Sequence, residues 1–201
     1  MDWLGTWGVA MGTAWLSGFR LYAAVLTLGL LQHYHFANLP GELHFFGEWW
    51  IIAVAGLLCL TEFIADKIPA IDSGWDAVHT FIRVPAGAVL AAAAFGQFDS
   101  RVRVLAFLLG GGIALTAHGT KATTRLAVNT SPEPFSNIAV STLEDAGGVG
   151  LSLLTVFHPV VMLFIVGALG VVGILIIRKL ARAIRGLFQR LRFSPSRPTR
   201  A

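Results

Sequence analysis

Long apolar stretches without charge constrain this chain more than any other feature. Several stretches contain no Lys, Arg, Asp or Glu, and the longest extends from 146 to 177. A helix needs roughly 20 apolar residues to cross about 30 Å of hydrocarbon, whereas the strands of a membrane barrel would alternate polar and apolar residues. Only 13% of the 201 residues are charged and 55% are hydrophobic, which is unlike the surface of a soluble protein. The sequence therefore predicts an all-α, polytopic helical membrane protein.

About five spans are predicted, together with one broken or re-entrant helix. The spans cover about 3–31, 49–65, 78–98, 102–120 and 159–178. Because a helix rises about 1.5 Å per residue, the uncharged run from 146 to 177 is too long for one untilted crossing. We therefore expect a short or re-entrant helix before Pro159.

Arg20 is the one charge within the first apolar stretch, and Ser17 and Gly18 precede it. Small residues at that position permit a kink, so the first helix could be discontinuous with Arg20 near its break. Alternatively, a helix that starts near Ser17 would let Arg20 extend to a membrane interface. The sequence leaves these two interpretations open.

Most of the positive charge belongs to the C-terminal segment. Eight of the fifteen Lys and Arg residues lie between Arg178 and Arg200, so the formal net charge of +4 describes a tail rather than the membrane body. We expect a transmembrane domain at 1–178 and a basic amphipathic tail at 179–201, whose partner would be anionic lipid headgroups. Arginines next to a membrane span are explained by their effect on the orientation of that span, so nucleic acid is not an expected partner.

The positive-inside rule predicts the orientation. It places the C-terminus and the turn with Arg101 and Arg103 in the cytoplasm, and five spans would then place the N-terminus outside. Both charged regions described below would lie toward the outer side. The expected location is the inner, cytoplasmic membrane of a bacterium.

The first charged region, 61–87, lies between two apolar stretches. Asp72, Asp76, His79 and Arg83 are spaced four, three and four residues apart, so a helix would carry them on one face. We expect Pro69 to break the preceding helix and Asp72 or Ser73 to cap the next one. Charged side chains within membrane segments usually mark function.

Two carboxylates, Glu62 and Asp66, end the second span and are i,i+4 neighbours. Like charges on one helix face repel unless a cation or a shared proton lies between them. Both residues could instead reach water at the end of the helix. Their spacing makes them candidates for proton coupling or for structural ion pairs.

The second charged region follows the fourth span and is mainly basic. His118, Lys121, Arg125 and Asn129 are spaced three, four and four residues apart. The segment SPEPFSN at 131–137 comes next, and its two prolines are expected to preclude a regular helix there. A possible two-helix internal repeat relates the regions, since Arg20, Arg83 and Asp145 recur at intervals of 63 and 62 residues.

Three motifs of these regions resemble a known family. They are ADKIPAIDSGWDAVHTFIRVPAG, SPEPFSN and S-T-x-E-D, and the matching residues are Ala65, Asp66, Lys67, Pro69, Asp72, Trp75, Asp76, His79, Arg83, Ser131, Pro132, Glu133, Pro134, Ser136, Asn137, Glu144 and Asp145. The chain resembles the bacterial small polytopic membrane proteins catalogued as domain-of-unknown-function family 4126, over most of residues 5 to 175. The resemblance implies a helical membrane domain and carries no substrate or reaction.

The leading functional hypothesis is a carrier or channel for a small polar or anionic solute or a lipid headgroup, with proton coupling. The candidate substrate-binding residues are Arg20, Lys67, Arg83, Lys121, Arg125, Asn129, Ser136 and Asn137. The candidates for proton coupling or structural ion pairs are Glu62, Asp66, Asp72, Asp76, His79, Glu133, Glu144 and Asp145. We assign no catalytic residue, metal or cofactor, and the chain could form a homo-oligomer.

Two other classes remain open. His79 and Asp76, with Ser131, Ser136 or Ser141, supply residue types that an enzyme acting on a lipid phosphate could use. The sequence contains no nucleophile elbow, zinc-protease motif or phosphate loop, which favours a non-enzymatic function. A non-catalytic scaffold that uses the basic tail is the third class.

Overall fold

The computed structural model describes residues 2–129 and 134–192, without the side chains at 69, 70, 72, 73, 129, 134, 184 and 186–192. This part of the chain contains no strand, which confirms the all-α prediction. The elements are α1 (Trp3–His33), a 3₁₀ helix (Gly41–Gly47), α2 (Trp49–Ala65), α3 (Pro69–Ala94), α4 (Ser100–Asn129), α5 (Pro134–Phe157) and α6 (Pro159–Arg192).

The first helix is broken at Arg20, whose φ of −149° and ψ of 69° are not helical. Trp7 in the first arm of α1 packs on Phe95, and Gly41, which follows the second arm, lies against the backbone of Ala93 and Ala94. Both ends of α1 therefore lie beside the C-terminal end of α3, so the chain folds back at Arg20. This confirms a broken helix, and because Arg20 is only 1% exposed, the alternative of an interfacial arginine is wrong.

The other five helices run between two ends of the bundle. We call the end with Trp3, the 3₁₀ helix and the α3–α4 turn the N-terminal end, because Trp3 packs on Phe98 there. The opposite end, where Asp66 contacts Arg125, is the cluster end. Helices α2, α4 and α6 run toward the cluster end, and α3 and α5 return from it.

The length and apolarity of most of these helices agree with a membrane-spanning position. Four helices are long and apolar enough to span a bilayer, and a fifth span counts if the 3₁₀ helix and α2, bent by 75°, cross together. The chain is thus a multi-pass helical membrane protein. Helices α3 and α4 continue into the charged regions, so α3 begins nine residues before the predicted span at 78–98 and ends at Ala94, and α4 extends nine residues past the predicted span at 102–120.

Close packing of α1, α3 and α4 depends on glycine. A Cβ atom at Gly18 would lie 2.1 Å from the carbonyl oxygen of Ala114, and one at Gly87 would lie 2.4 Å from the Ala114 Cβ. Membrane helices approach closely where small residues face each other. These contacts bring the charged faces of the three helices together near the cluster end.

Two prolines that we expected at helix breaks are each the first residue of a helix. The predicted break between α2 and α3 is confirmed, because α2 ends at Ala65 and α3 begins at Pro69. Pro69 is the first residue of α3, with Ile68 as the N-cap, so the prediction of a cap at Asp72 or Ser73 is wrong. Pro134 likewise begins α5, so 134–137 is helical. Proline fits the first helical position, where its missing N–H would have no intrahelical partner.

The helix before Pro159 also differs from the prediction. Helix α5 has 24 residues, so the prediction of a short helix is wrong, and it is not among the four described helices that are long and apolar enough to span a bilayer. A Cβ atom at Gly12 would contact Thr155, and one at Gly148 would contact Arg20, so the C-terminal half of α5 runs along α1 from Arg20 to Gly12. The run from 146 to 177 is divided by a break at His158, between two complete helices.

The predicted orientation of the two basic segments is wrong in one respect. Arg103 at the start of α4 pairs with Glu42 of the 3₁₀ helix at the N-terminal end. Helix α6 begins beside Gly8 and passes Thr120 at Gly173, so it ends at the cluster end. The Arg101 and Arg103 turn and the end of α6 therefore lie at opposite ends of the bundle, and the described parts of both charged regions lie at the end where α6 ends.

Candidate functional site

Four basic side chains meet inside the bundle near the cluster end. Arg20 comes from the break in α1, Arg83 from α3, and Lys121 and Arg125 from α4; each is at most 2% exposed. Burying a charge is costly unless it is paired and hydrogen-bonded. Their position therefore requires carboxylates at close range.

Glu62 and Asp66, from the end of α2, lie at the centre of these cations. Glu62 Oε1 contacts Arg83 directly, lies 3.4 Å from Lys121 Nζ and 3.5 Å from Arg20 Nη1. Asp66 Oδ2 contacts Arg20, and lies 3.6 Å from Lys121 Nζ and 3.3 Å from Arg125 Nη2. Arg20 and Lys121 thus bridge the two i,i+4 carboxylates and remove their mutual repulsion.

Asp76 and Glu144 complete the cluster from either side. Asp76 Oδ1 lies 2.9 Å from Arg83 Nη1 and 3.5 Å from Lys121 Nζ. Glu144 Oε2, from α5, lies 2.7 Å from Arg125 Nη2 and 3.5 Å from Arg20 Nη2. We call Arg20, Arg83, Lys121, Arg125, Glu62, Asp66, Asp76 and Glu144 the buried ion-pair cluster. Its formal charges sum to zero when all eight groups are ionised.

The carboxylates of the cluster use their oxygens unequally. Oε2 of Glu62, Oδ1 of Asp66 and Oδ2 of Asp76 are buried and have no hydrogen-bond partner among the described residues, although the other oxygen of each meets two or three cations. A buried polar atom without a partner carries a desolvation cost. These oxygens are therefore positions where a hydrogen-bond donor would be stabilised.

Lys67, Asn137 and Asp145 surround the cluster on the side of α5. Asn137 joins α4 and α2, because it accepts from Arg125 Nη1 at 2.7 Å and donates to the Asp66 carbonyl at 3.1 Å. Asp145 lies 3.0 Å from Arg20 Nη2 and 3.9 Å from Lys67 Nζ, and both Lys67 and Asp145 are about a quarter exposed. This pair is the part of the charged site that reaches the outside of the bundle.

Two histidines next to the cluster bond to hydroxyl groups. His79 Nδ1 donates to the Trp75 carbonyl at 2.8 Å, so in the neutral ring Nε2 accepts from the Tyr22 hydroxyl, 3.0 Å away. His118 Nε2 lies 2.7 Å from Thr80 Oγ1, and Thr80 donates to the Asp76 carbonyl. These contacts connect the histidines of α3 and α4 to the backbone around Asp76.

A small polar cavity opens beside the cluster, between α3 and α4. Its volume is about 220 Å³, and its polar lining comes from Asp76, Thr80, His118 and Arg125. A carboxylate, a hydroxyl, an imidazole and a guanidinium together can both donate and accept hydrogen bonds. The cavity would accommodate only a small solute in contact with the cluster.

The structure brings most of the candidate residues together. Arg20, Arg83, Lys121, Arg125, Glu62, Asp66, Asp76 and Glu144 form the cluster, while Lys67, Asn137, Asp145 and His79 lie around it, and Ser136 is in the first turn of α5. Glu133 and the side chains of Asp72 and Asn129 lie outside the described residues. The expectation that Glu62 and Asp66 could reach water is wrong, since both are at most 1% exposed.

Tyr22 and Thr80 contact the site but were not among the predicted residues. Thr80 is four residues after Asp76 and so lies on the charged face of α3, a signal that the spacing contains. Tyr22 reaches His79 only because α1 turns at Arg20, which the sequence gives no means of orienting. Within the described residues, no group of three His, Cys, Asp or Glu side chains is arranged to hold a metal ion.

The fold and the site together define the class of this protein. It is a multi-pass helical membrane protein with an internal polar site, formed by buried ion pairs whose formal charges sum to zero. The chain belongs to the family described as Domain of unknown function (DUF4126), which it matches over residues 8–179. This agrees with the resemblance of its motifs, and the match includes every described residue of the cluster. No curated protein and no solved structure matches the chain.

Proposed function

We propose that this protein is a proton-coupled membrane carrier for a small anionic solute, with the buried ion-pair cluster as its binding site. One observation carries the proposal: four buried cations are balanced by four carboxylates, three of which keep one buried oxygen without a partner. Rigid packing alone would not require eight ionisable groups in an apolar bundle.

Charge balance gives the coupling its physical basis. Protonation of Glu62 would remove one negative charge and leave Arg20, Arg83 and Lys121, which it contacts, with excess positive charge. A monoanion that enters with the proton would restore neutrality, so the loaded and the empty site would carry the same charge. Proton and anion would therefore bind together, and their joint movement would be electroneutral.

The polar cavity is the site from which we expect the solute to reach the cluster. Arg125 offers a cation to an anion there, and Asp76, whose Oδ2 has no partner, offers an acceptor to a proton. The cavity volume of about 220 Å³ would hold a solute of roughly ten non-hydrogen atoms or fewer, since a cavity of about 150 Å³ holds benzene. We place the carrier in the cytoplasmic membrane of a bacterium, with the C-terminus in the cytoplasm.

The enzyme alternative has less support from the geometry. His79 and His118 bond to Tyr22 and Thr80 rather than to a serine hydroxyl. Ser141, one of the nucleophile candidates, is contacted by Lys67 Nζ at 3.4 Å and lies on the other side of the cluster. A nucleophile requires an adjacent base, and the lysine that contacts Ser141 is itself paired with Asp145, 3.9 Å away.

Transport can be tested with the purified full chain in liposomes that contain a pH-sensitive dye. Potassium and valinomycin hold the membrane potential at zero while formate, acetate, nitrate or phosphate is added outside. We expect one of these anions to acidify the lumen faster than in protein-free liposomes. Absence of any protein-dependent acidification, or anion uptake without proton movement, would reject the carrier.

Glu62→Gln tests the site, because it preserves shape while removing the proton acceptor. We expect this variant, monodisperse by size-exclusion chromatography, to lose protein-dependent acidification. Glu42→Gln is the matched control, since Glu42 forms an exposed pair with Arg103 at the far end of the bundle. Equal rates for Glu62→Gln and wild type would exclude the cluster as the coupling site.

A further inference from the structure

A second feature, unrelated to the cluster, is an apolar groove on the outside of the bundle. Helices α1, α4 and α6 enclose about 770 Å³, lined by apolar side chains that include Trp7, Trp15, Leu108 and Ile174. Contiguous apolar surface of this kind marks an interaction site. The question is which molecule occupies it.

Glycines in this groove are not explained by helix packing. A Cβ atom at Gly112, Gly167 or Gly170 would meet no atom within 4 Å, in contrast to Gly18 and Gly87, where it would collide with a neighbouring helix. Within a helix, glycine is less favourable for stability than any residue except proline. Three glycines facing open space keep the groove wide for something other than a helix of this chain.

The face of α6 that lines the groove continues into positive charge. Gly167, Val171 and Ile174 line it, and Arg178, Arg182 and Arg185 follow at spacings of four, four and three residues. All six positions therefore share one face of the helix. The three arginines are exposed at the cluster end, where α6 leaves the apolar part of the bundle.

We propose that this groove and the arginine face together bind one anionic phospholipid. The arginines would hold its phosphate, since a guanidinium matches phosphate geometry, and the groove would hold an acyl chain. From Leu163 to Ile174 the groove follows α6 for about 16 Å at 1.5 Å per residue, close to half of the roughly 30 Å hydrocarbon core. That length is what one leaflet's acyl chain occupies.

The proposed site would prefer anionic lipids, whereas ordinary contact with the bilayer would give no such preference. Any lipid can fill an apolar surface, but the arginine face selects negative charge. Each arginine near an anionic surface is expected to improve binding about fivefold. The inference is independent of the carrier activity, because it involves neither the cluster nor the polar cavity.

Native mass spectrometry of the detergent-purified full chain tests the proposal. The protein is incubated with equal amounts of phosphatidylglycerol and phosphatidylcholine of identical acyl chains, and retained lipid is counted during delipidation. We expect a single tightly retained phosphatidylglycerol, with Arg178→Gln/Arg182→Gln/Arg185→Gln reducing the preference to near one. Equal retention of both lipids by the wild-type protein would overturn the proposal.

Gly170→Phe separates the groove from general attraction to the basic tail. A Cβ atom at Gly170 would meet no atom within 4 Å, and the ring would occupy space in the groove, so we expect this variant to lose the retained lipid while the chain stays monodisperse. Gly150→Phe, on α5 and outside the groove, is the matched control, because a Cβ there also meets nothing within 4 Å. If Gly170→Phe left the preference intact, the lipid would bind the tail alone, and the groove would be rejected as its site.

Discussion

Among single residues, Glu62 and Asp66 each meet three cations of the cluster, and Glu62 does so through one oxygen that contacts Arg20, Arg83 and Lys121. We predict that Glu62→Gln lowers the free energy of unfolding by about 3–5 kcal/mol, since removing one partner leaves buried charge uncompensated. Unfolding in mixed micelles, followed by the far-UV circular dichroism signal, measures the loss.

A second substitution shows whether charge balance is the cause. Lys121→Gln combined with Glu62→Gln restores equal numbers of cations and carboxylates in the cluster, so the double variant should be more stable than Glu62→Gln alone. Glu42→Gln, in an exposed pair with Arg103, should change stability by about 1 kcal/mol or less. A double variant less stable than both single variants would contradict this explanation.

The residues of the cluster could be predicted from the sequence, but their pairing could not. Spacings of three and four placed Asp76, His79 and Arg83 on one face of α3 because that rule depends only on helix geometry. The pairs Arg20 with Asp66 and Arg125 with Glu144 join different helices. Which cation meets which carboxylate depends on how the helices pack, and no local pattern encodes that.

Helix boundaries were harder to predict than helices. Pro69 and Pro134 both begin a helix, because proline at the first position loses no hydrogen bond. The break before Pro69 agrees with the prediction, whereas the segment from Pro134 to Asn137, predicted not to be helical, is helical. The break at Arg20 is one of the two interpretations that the sequence leaves open, since Ser17 and Gly18 precede that charge, and the structure decides between them. The sequence showed that α1 could be broken but not that its two arms fold back on each other.

The close contact of α1 with α4 leads to a prediction about helix packing. Gly18→Ala would place a Cβ atom 2.1 Å from the Ala114 carbonyl oxygen, which belongs to backbone and cannot move without separating the helices. We predict a loss of about 1–3 kcal/mol in the free energy of unfolding, the range for overpacking. Unfolding in mixed micelles, followed by the far-UV circular dichroism signal, measures this loss as well.

Gly150→Ala is its control within α5. An added Cβ there meets nothing within 4 Å, so the variant should be about 0.5–1 kcal/mol more stable, as expected when alanine replaces glycine within a helix. Equal effects of the two substitutions would mean that α1 and α4 are not in close contact at Gly18.

For the molecule as a whole, the path of the chain separates two basic segments that the positive-inside rule had placed together. Because α4 and α6 run in the same direction, Arg101 and Arg103 lie at the N-terminal end, while Arg178 and Arg182 lie at the cluster end. The eight basic residues between Arg178 and Arg200 outnumber the two in the α3–α4 turn. The C-terminal side is therefore the side that should face the cytoplasm.

Labelling of single cysteines tests this arrangement. Cys59 is the one cysteine of the chain, so Cys59→Ala gives a background for Gln97→Cys in the α3–α4 turn and Arg182→Cys in α6. A membrane-impermeant maleimide added to intact cells should label Gln97→Cys, whereas Arg182→Cys should react only after the membrane is opened. Phe36→Cys, at the N-terminal end with Gln97, should behave as Gln97→Cys does. If Gln97→Cys and Arg182→Cys reacted from the same side, α4 and α6 could not both cross in the direction that the contacts of Gly8 and Gly173 require.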